Sequence, residues 1–355
     1  MRTRLLPPGC VAVSCIGWQM GRAVMTSRPS FTNQQLNAII PNATVDSEFL
    51  YYSLRTRQEE LLSLGSATGV RTPIMNKSAF GNLTLLMPPL EVQRMIASIL
   101  SAYDDLSENN LRRIKILEEM AQSLYKEWFV DFRFPGHENA KMVDSALGMI
   151  PEGWEASTVG EAAELTTRGI SPRYDDEGPM TVLNQRCIRN HQVDLAESRR
   201  HSGAFPPQKQ VLLGDVLINS TGVGTLGRTA QVYKQVDACV VDSHVTIVRP
   251  LSSLETDYFG MAVIELEDYF ELQGKGATGQ TELGRDSIRV APFLVPPQII
   301  QQAFSTLVQP LRRLSVVLGE RTDNLRQTRD LLLPKLIYGE LDVSDLNIDV
   351  GEDTA

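Results

Sequence analysis

A glycine-rich segment, Gly222-Val-Gly-Thr-Leu-Gly227, matches the G-x-G-x-x-G pattern of dinucleotide-binding proteins, and Asp242 follows at the spacing of a ribose-binding carboxylate. That chemistry requires a helix to begin at the glycines, so that its amide groups point at the pyrophosphate. The residues that follow, Arg228 to Tyr233, have no helical stripe and are typical of a strand. The segment therefore predicts a tight turn between two strands rather than a nucleotide site.

Acid–base or metal chemistry has less support. The adjacent carboxylates Asp104-Asp105 and Glu118-Glu119 are predicted on the solvated face of a helix, and Asp175-Asp176 is a further such pair. The sequence has no Walker loop, no H-E-x-x-H and no G-x-S-x-G. Its 4 cysteines form no C-x-x-C pair and its 4 histidines do not cluster, which favours reduced thiols in a cytoplasm over zinc or disulfides. We therefore expect no catalysis by this chain, no cofactor and no metal, with histidines such as His191 and His244 in ordinary surface or core positions.

Polar segments flanked by glycines are better candidates for binding. Residues 167–190 mix Arg, Asn, Gln and Tyr side chains. Arg pairs bidentately with guanine, Asn and Gln pair with adenine, and backbone amides bind phosphates. Loops of small residues at 66–71 and 275–280 would allow close backbone approach, although a solvated loop is the alternative for any single position. The candidate nucleic-acid-binding residues are Arg22, Arg71, Arg168, Arg173, Tyr174, Asn184, Arg186, Thr221, Lys275, Thr278 and Gln280.

Length and charge are compatible with such binding. The 355 residues suffice for about two domains, and 42% hydrophobic with 22% charged residues is ordinary for a globular protein. The net charge of −9 is concentrated in residues 340–355, which hold six acidic and no basic residues, whereas residues 1–88 hold eight basic and four acidic ones. A local basic surface therefore remains possible. No stretch resembles a membrane span, and Pro7-Pro8-Gly9 interrupts the apolar run of a signal-peptide-like N-terminus, so we expect no membrane partner.

An internal repeat organises the chain. Val11–Arg22 resembles Val216–Arg228 at an offset of about 205 residues. Three further matches have offsets close to this value: Leu36–Pro41 with Val245–Pro250, Ser66–Gly69 with Gly276–Gly279, and Met87–Gln93 with Val295–Gln301. A near-constant offset over some 80 residues indicates two copies of one module. Each copy is predicted to be a β-rich unit followed, after a Pro-Pro pair, by a long helix.

The helices carry apolar stripes of coiled-coil spacing. In the first, residues three or four apart form the stripe Ile99, Tyr103, Leu106, Asn110, Ile114, Leu117, Ala121, Leu124 and Trp128. In the second, a leucine-rich heptad is formed by Phe304, Leu311, Leu318, Leu325 and Leu332, with Leu307 and Leu314 between them. This spacing predicts two helices that pair with each other antiparallel, and Pro310 predicts a kink or restart in the second.

These features together resemble the DNA specificity subunit of type I restriction–modification systems. The resemblance rests on five segments: Ile150–Trp154, Gly214–Ile218, Pro29–Asn37, Leu117–Phe132 and Leu325–Leu341. It implies an α+β fold, in which two β-rich target-recognition domains are each followed by a long helix and the helices pair as an antiparallel coiled-coil spacer. It also implies a non-catalytic, cytoplasmic subunit that binds double-stranded DNA at a bipartite site and joins two methylation subunits and restriction subunits. S-adenosylmethionine and ATP would belong to those partners.

The expected domains follow from the repeat and the resemblance. They are an incomplete first recognition domain (1–88), a first spacer helix (89–133), a linker (134–149), a second recognition domain (150–296), a second spacer helix (297–338) and an acidic tail (339–355). The first domain has no counterpart of roughly residues 150–205. We therefore expect it to read its half-site poorly, unless a second copy of the chain compensates or the gene begins upstream.

Two alternatives belong to other classes of protein. A coiled-coil scaffold could bind protein through its β-rich domains, and its binding would lack the steep salt dependence of DNA binding. A free-standing nuclease or methyltransferase would need a catalytic motif that the sequence does not contain.

Overall fold

The computed structural model describes residues 5–66, 72–276, 281–344 and 346. Contacts divide the chain into a first unit, residues 1–112 with 318–355, and a second unit, residues 113–317. The helices are α1 (Ser47–Arg55), α2 (Gln58–Ser66), α3 (Lys77–Gly81), α4 (Leu90–Tyr125), α5 (Val159–Ala162), α6 (Thr256–Ile264), α7 (Glu267–Leu272), α8 (Arg285–Arg289) and α9 (Gln298–Ile337). A π-helical turn, Lys126–Val130, follows α4 directly.

The strands are short and often buried. They are β1 (Val11–Ser14), β2 (Ala23–Met25), β3 (Leu36–Ile39), β4 (Met142–Ser145), β5 (Gly148–Pro151), β6 (Glu155–Thr158), β7 (Ala163–Arg168), β8 (Met180–Leu183), β9 (Ile188–Arg189), β10 (Gln192–Val193), β11 (Arg199–His201), β12 (Val216–Asn219), β13 (Thr229–Gln231), β14 (Cys239–Val241), β15 (Val245–Pro250) and β16 (Pro292–Val295).

The first unit is built on an antiparallel sheet in the order β2-β1-β3. Because side chains alternate along a strand, Val11 and Val13 point to the same face, where they pack against Leu50 and Leu54 of α1. A second core joins α1 to the long helices through Phe49, Leu100 and Leu336. The early part of α4 meets the late part of α9 there, so the two segments run antiparallel.

The second unit is built on the sheet β13-β12-β15-β7, which is covered on both faces. Val216 and Ile218 of β12 face the helices, whereas Leu217 faces a separate core that includes Leu183 and Val241. That second core lies beside the sheet β11-β8-β14, in which β14 runs parallel to β8. The smaller pairs are β9 with β10, β4 with β5, and β6 with β16.

Aromatic side chains join the helices of the second unit to this sheet. Phe129 of the π-helical turn lies 4.6 Å from the ring of Tyr258 and 4.9 Å from that of Phe304, between ring centroids. The Trp154 ring joins the same cluster, tilted against Phe129 at 5.8 Å between ring centroids. Tyr125 of α4 contacts Phe304 of α9, so here too the helix segments are antiparallel. The predicted α+β fold with two long paired helices is confirmed.

The heptad predicted for α9 has two seam positions in each repeat, and the prediction is correct for the first of them. Phe304 and Leu318 are buried, but Leu307 and Leu314 are 50% and 39% exposed. The second seam position lies four residues after the first, at Val308 and, in the later part of α9, Thr322, which are both buried. Thr322 can occupy an apolar seam because its hydroxyl donates to the Leu318 carbonyl, 2.8 Å away. The same error placed Leu106 in the seam of α4; Leu106 is exposed and Ser107 is buried.

Two local expectations fail for similar reasons. The helix α9 does not restart at Pro310. The proline ring is exposed, while Val308 beside it packs into the core, so one lost backbone hydrogen bond does not end the helix. Asp104 and Glu118 do not lie on a freely solvated face either. Asp104 accepts from the Tyr52 hydroxyl at 2.7 Å and contacts Arg329, and Glu118 accepts from the Gln192 amide.

The turn predicted at the glycine-rich segment is confirmed. The glycine-rich segment is a turn from β12 to β13, and Gly222, Gly224 and Gly227 have φ values of +111°, +70° and +82°. All 4 cysteines are buried free thiols. Within the part of the chain that the structure describes, no helix is long and apolar enough to cross a membrane.

Candidate nucleic-acid interface

The loops at one end of the β13-β12-β15-β7 sheet bring several predicted residues together. Thr221 follows β12 and His244 precedes β15, and the register of these antiparallel strands puts both at the same end. The Thr221 hydroxyl lies 2.7 Å from His244 Nδ1 and 3.2 Å from Gln185 Oε1. The His244 loop is fixed by its own backbone, since Ser220 N donates to the His244 carbonyl at 2.8 Å and His244 N donates to Asp242 Oδ1 at 2.9 Å. The result is a row of hydrogen-bonding groups on loops that the backbone holds in place.

Arg168, at the end of β7, holds the loops next to this row through hydrogen bonds. Its guanidinium donates to the carbonyls of Ser243 (3.1 Å) and Leu283 (2.6 Å) and forms an ion pair with Glu282 at 2.8 Å. The side chain is mostly buried by these contacts. Its geometry therefore suits positioning of the loops, because its donors are already engaged within the chain.

Asn184 and Arg186 lie on the 3-10 turn Gln185–Cys187. The Asn184 amide is engaged on both sides, since Oδ1 accepts from Arg186 N at 2.8 Å and Nδ2 donates to the Glu197 carbonyl at 2.7 Å. Arg186 is exposed and pairs with the Glu197 carboxylate at 2.6 Å. Of these two predicted residues, Arg186 is the one free to exchange a surface ion pair for a phosphate.

Tyr174 and Arg173 form an adjoining part of the surface. The Arg199 guanidinium lies 3.4 Å from the centroid of the exposed Tyr174 ring, and the buried His201 accepts from Arg173 N at 2.9 Å. Burial and, secondarily, the nearby Asp242 carboxylate raise the pKa of the Tyr174 hydroxyl. The phenol is therefore a neutral donor at physiological pH. Asp242 also anchors the His244 loop, so it connects the two parts of the surface.

The remaining predicted residues lie apart or outside the description. Lys275 is exposed, and its backbone pairs with Glu282 next to Thr221. Arg22 is exposed in the first unit. Arg71, Thr278 and Gln280 lie outside the described residues.

Sequence reasoning did not select Gln185, His244 or Arg199. The repeat contained a signal for His244, because its counterpart in the first copy is another polar residue, Gln35, in the same local turn. Gln35 N donates to Asn33 Oδ1 at 2.9 Å, just as His244 N donates to Asp242. For Arg199 the sequence holds no signal, since its contact with Tyr174 depends on the pairing of β11 with β8.

The chemistry available at this surface is hydrogen bonding and charge pairing. Burial raises the pKa of the Cys187 thiol to about 11, so it is not a nucleophile at neutral pH. Within the described ranges, no group of three or more His, Cys, Asp or Glu side chains could hold a metal ion.

Comparisons with known proteins give a consistent result. Residues 4–119 match the family model for the type I restriction modification DNA specificity domain. The type I restriction enzyme MjaIX specificity subunit of Methanocaldococcus jannaschii is 27% identical over 349 residues, which cover 97% of this chain and 80% of that one. The MjaVIII specificity subunit of the same organism is 32% identical over 167 residues, 47% of this chain and 37% of that one. The crystal structure of the type I restriction–modification S subunit from M. genitalium has a TM-score of 0.58 at 19% identity, covering 95% of this chain and 84% of that one, which shows a shared fold.

Proposed function

We propose that this chain is a type I restriction–modification DNA specificity subunit, which binds a split double-stranded DNA sequence and brings the methylation subunits of its complex there. The observation that carries the proposal is the row Gln185, Thr221 and His244. Their donors and acceptors match the base edges of the major groove, and the backbone holds them in place before DNA arrives.

Charged residues around the row would contact the DNA backbone. Arg186 and Lys275 are exposed in the second unit, and Arg199 and Arg200 lie on β11. Such contacts fix the register on the duplex without reading its sequence. Arg22 would act in the same way in the first unit. The chain itself would carry no reaction, and S-adenosylmethionine and ATP would be bound by the partner subunits.

The partner subunits would dock on the long helices. In the second unit, Leu307, Leu314 and Val317 of α9 and Ile116 and Met120 of α4 are exposed apolar residues. A group of exposed apolar side chains on rigid helices is typical of a protein-contact surface. We propose that this surface binds a methylation subunit, with the restriction subunits joining that complex.

The proposal is tested by mapping methylated adenines in a genome that expresses the methylation subunit with or without this chain. A bipartite motif should appear only with the chain, and the complex should bind its duplex with an affinity that falls steeply as salt rises. Methylation without a motif would contradict sequence-specific binding. Salt-insensitive binding would favour a protein-binding scaffold.

Docking is tested separately with two variants of α9. Leu314→Glu changes an exposed residue and should abolish co-purification of the methylation subunit while the chain stays folded. Leu318→Glu changes a buried one and should unfold the helix packing instead. Normal assembly of Leu314→Glu would move the docking surface elsewhere.

A further inference from the structure

The two copies present one exposed apolar residue each at an equivalent turn: Trp18 in the first unit and Val223 in the second. We infer that these two residues contact thymine methyl groups in the major groove, Trp18 in one half-site and Val223 in the other. The inference rests on the proposed DNA-binding function and adds to it the chemical group that is read.

The turns that carry them are closed by the same hydrogen bonds. Gly21 N donates to the Ser14 carbonyl at 2.9 Å, and Gly227 N donates to the Asn219 carbonyl at 2.8 Å. Trp18 follows Gly17, with φ +90°, and Val223 follows Gly222, with φ +111°. The residue after the first glycine therefore has the same place in both turns.

Both side chains are open to solvent. Trp18 is 71% exposed and Val223 is 84% exposed, whereas Trp128 and Trp154 are buried. Neither residue makes a side-chain hydrogen bond or ring contact with any residue that the structure describes. A single exposed apolar side chain is unremarkable on a protein surface. Its recurrence at one position of a duplicated turn, which in the second unit lies beside the row Gln185, Thr221 and His244, is the observation that favours a ligand contact.

The bases of the turns pack closely against neighbouring backbone. A Cβ at Gly227 would lie 2.6 Å from the backbone N of Glu271, and one at Gly21 would lie 2.9 Å from the Gln58 carbonyl. In the first unit Gly17 N also donates to the Pro73 carbonyl at 2.9 Å, and the neighbouring Met20 is buried. The backbone of each turn is therefore held in place at its base.

The surroundings favour a DNA groove over a protein partner. A Cβ added at Gly222, the residue before Val223, would lie 3.1 Å from the Gln185 amide oxygen. Thr221 is two residues before Val223. The base edges of an A·T pair present hydrogen-bonding groups next to the thymine methyl, so an apolar residue among amide and hydroxyl groups matches them. In the first unit the Ser14 hydroxyl donates to the Gln19 carbonyl of the same turn at 2.9 Å, and Arg22, which follows the turn, is exposed.

The test uses the complete complex with its methylation subunits and a duplex carrying the motif found by methylation mapping. Each thymine is replaced singly by uracil, which removes only the methyl group. We expect one uracil in one half-site to lower affinity about three- to tenfold. The Trp18→Ala complex should bind the unmodified duplex with a similarly lowered affinity, and that uracil should lower its affinity no further. It should stay sensitive to uracils in the other half-site. Val223→Ala should behave in the same way for the other half-site.

Matched controls exist in each unit. Phe31→Ala and Leu213→Ala remove exposed apolar side chains and should leave the uracil profile unchanged; Leu213 precedes β12, at the end of the strand opposite the turn. Trp18 is the exposed one of the 3 tryptophans of this chain. Binding of the motif duplex should therefore quench tryptophan fluorescence, and the Trp18→Phe variant should not show this quenching.

The possible failures are distinct. If the wild-type complex binds its motif but no uracil effect depends on Trp18 or Val223, the inference is wrong and the proposed function stands. A half-site without an A·T pair overturns the inference for that half. If Trp18→Ala loses the methylation subunit instead of the uracil response, the turn is a protein contact. If the complex selects no motif at all, the proposed function itself fails.

Discussion

In the second unit the sheet of β13, β12, β15 and β7 is covered on both faces, whereas in the first unit the edge strands β2 and β3 are exposed on one face of their sheet. The positions Ala230 and Val24 make the difference measurable, because each lies directly opposite the central strand of its sheet. Ala230 is fully buried, and Val24 is 53% exposed. In the second unit Leu183, Cys187 and Val241 supply the covering layer. In the first unit the corresponding face is open at its edge strands, at Val24 and Ala38, while Ala12 of β1 between them is buried.

The junction between each β-rich unit and its long helix is the same in both copies. Gln93 accepts from Asp46 N at 2.9 Å and donates to the Pro88 carbonyl at 2.8 Å. Gln301 accepts from Glu255 N at 3.0 Å and donates to the Pro296 carbonyl at 2.8 Å. The junction with the long helix is thus a shared framework, and the copies differ on the face that carries the candidate base readers in the second unit.

The largest expected effect comes from placing a charge on the covered and the open face. Ala230→Asp should destabilise the second unit by at least about 3 kcal/mol, because an ionised carboxylate there has no partner and no solvent. Val24→Asp, at the equivalent position, should cost about 1 kcal/mol or less. Hydrogen-exchange protection of β12 and β1, measured by mass spectrometry, checks both values. Equal losses would show that the face of the first unit is covered in solution.

A smaller effect should be the same in both copies. Gln93→Ala and Gln301→Ala each remove a buried side chain that bridges a backbone N–H and a carbonyl, which should cost about 1–3 kcal/mol of local stability. Gln93→Glu and Gln301→Glu are matched controls that keep the acceptor and lose the donor. Unequal losses for the two alanine variants would mean that the junctions are similar in geometry but not in energetics.

Local chemistry explains which features the sequence predicts. The turn at Gly222 follows from three glycines and the missing helical stripe. The seam predicted for α9 is wrong at Leu307 and Leu314, because apolar spacing favours leucine over a polar residue such as Thr322. The Thr322 hydroxyl is satisfied within its own helix, which lets it occupy the seam. The contact of Thr221 with Gln185 and His244 joins segments far apart in sequence, so it required strand register that no local pattern contains. Arg168 was selected for its type, and nothing in the sequence shows that distant carbonyls occupy its donors.

The smallest predicted effect is a pH dependence confined to the second unit, which holds all 4 histidines of the chain. His191 Nε2 lies 3.4 Å from Glu267, and its Nδ1 lies 3.3 Å from the Gln122 amide nitrogen. Hydrogen bonding to Glu267 raises the pKa of His191 against the lowering effect of burial, with Glu118 and Glu265 adding to the rise. For Glu267, burial favours a higher pKa, but the hydrogen bonds from His191 and Thr229 outweigh it and lower the pKa.

The signs of these shifts define a window. A raised histidine pKa contributes stability that is complete below the unfolded-state value near 6.5 and is lost as pH rises through the folded-state value. The lowered pKa of Glu267 contributes stability that is lost only in acid. The second unit should therefore lose a little stability between about pH 6 and pH 8, and the loss should be small because solvent screens this partly exposed pair. The first unit, which lacks histidine, should not change in stability over that pH range.

His191→Gln keeps a hydrogen-bonding side chain that does not titrate, so it should remove the pH dependence while exchange protection at pH 8 stays near that of the wild type. Exchange protection factors at pH 6 and pH 8, corrected for intrinsic rates, measure this, and a decline that persists in His191→Gln would assign the pH dependence to another group.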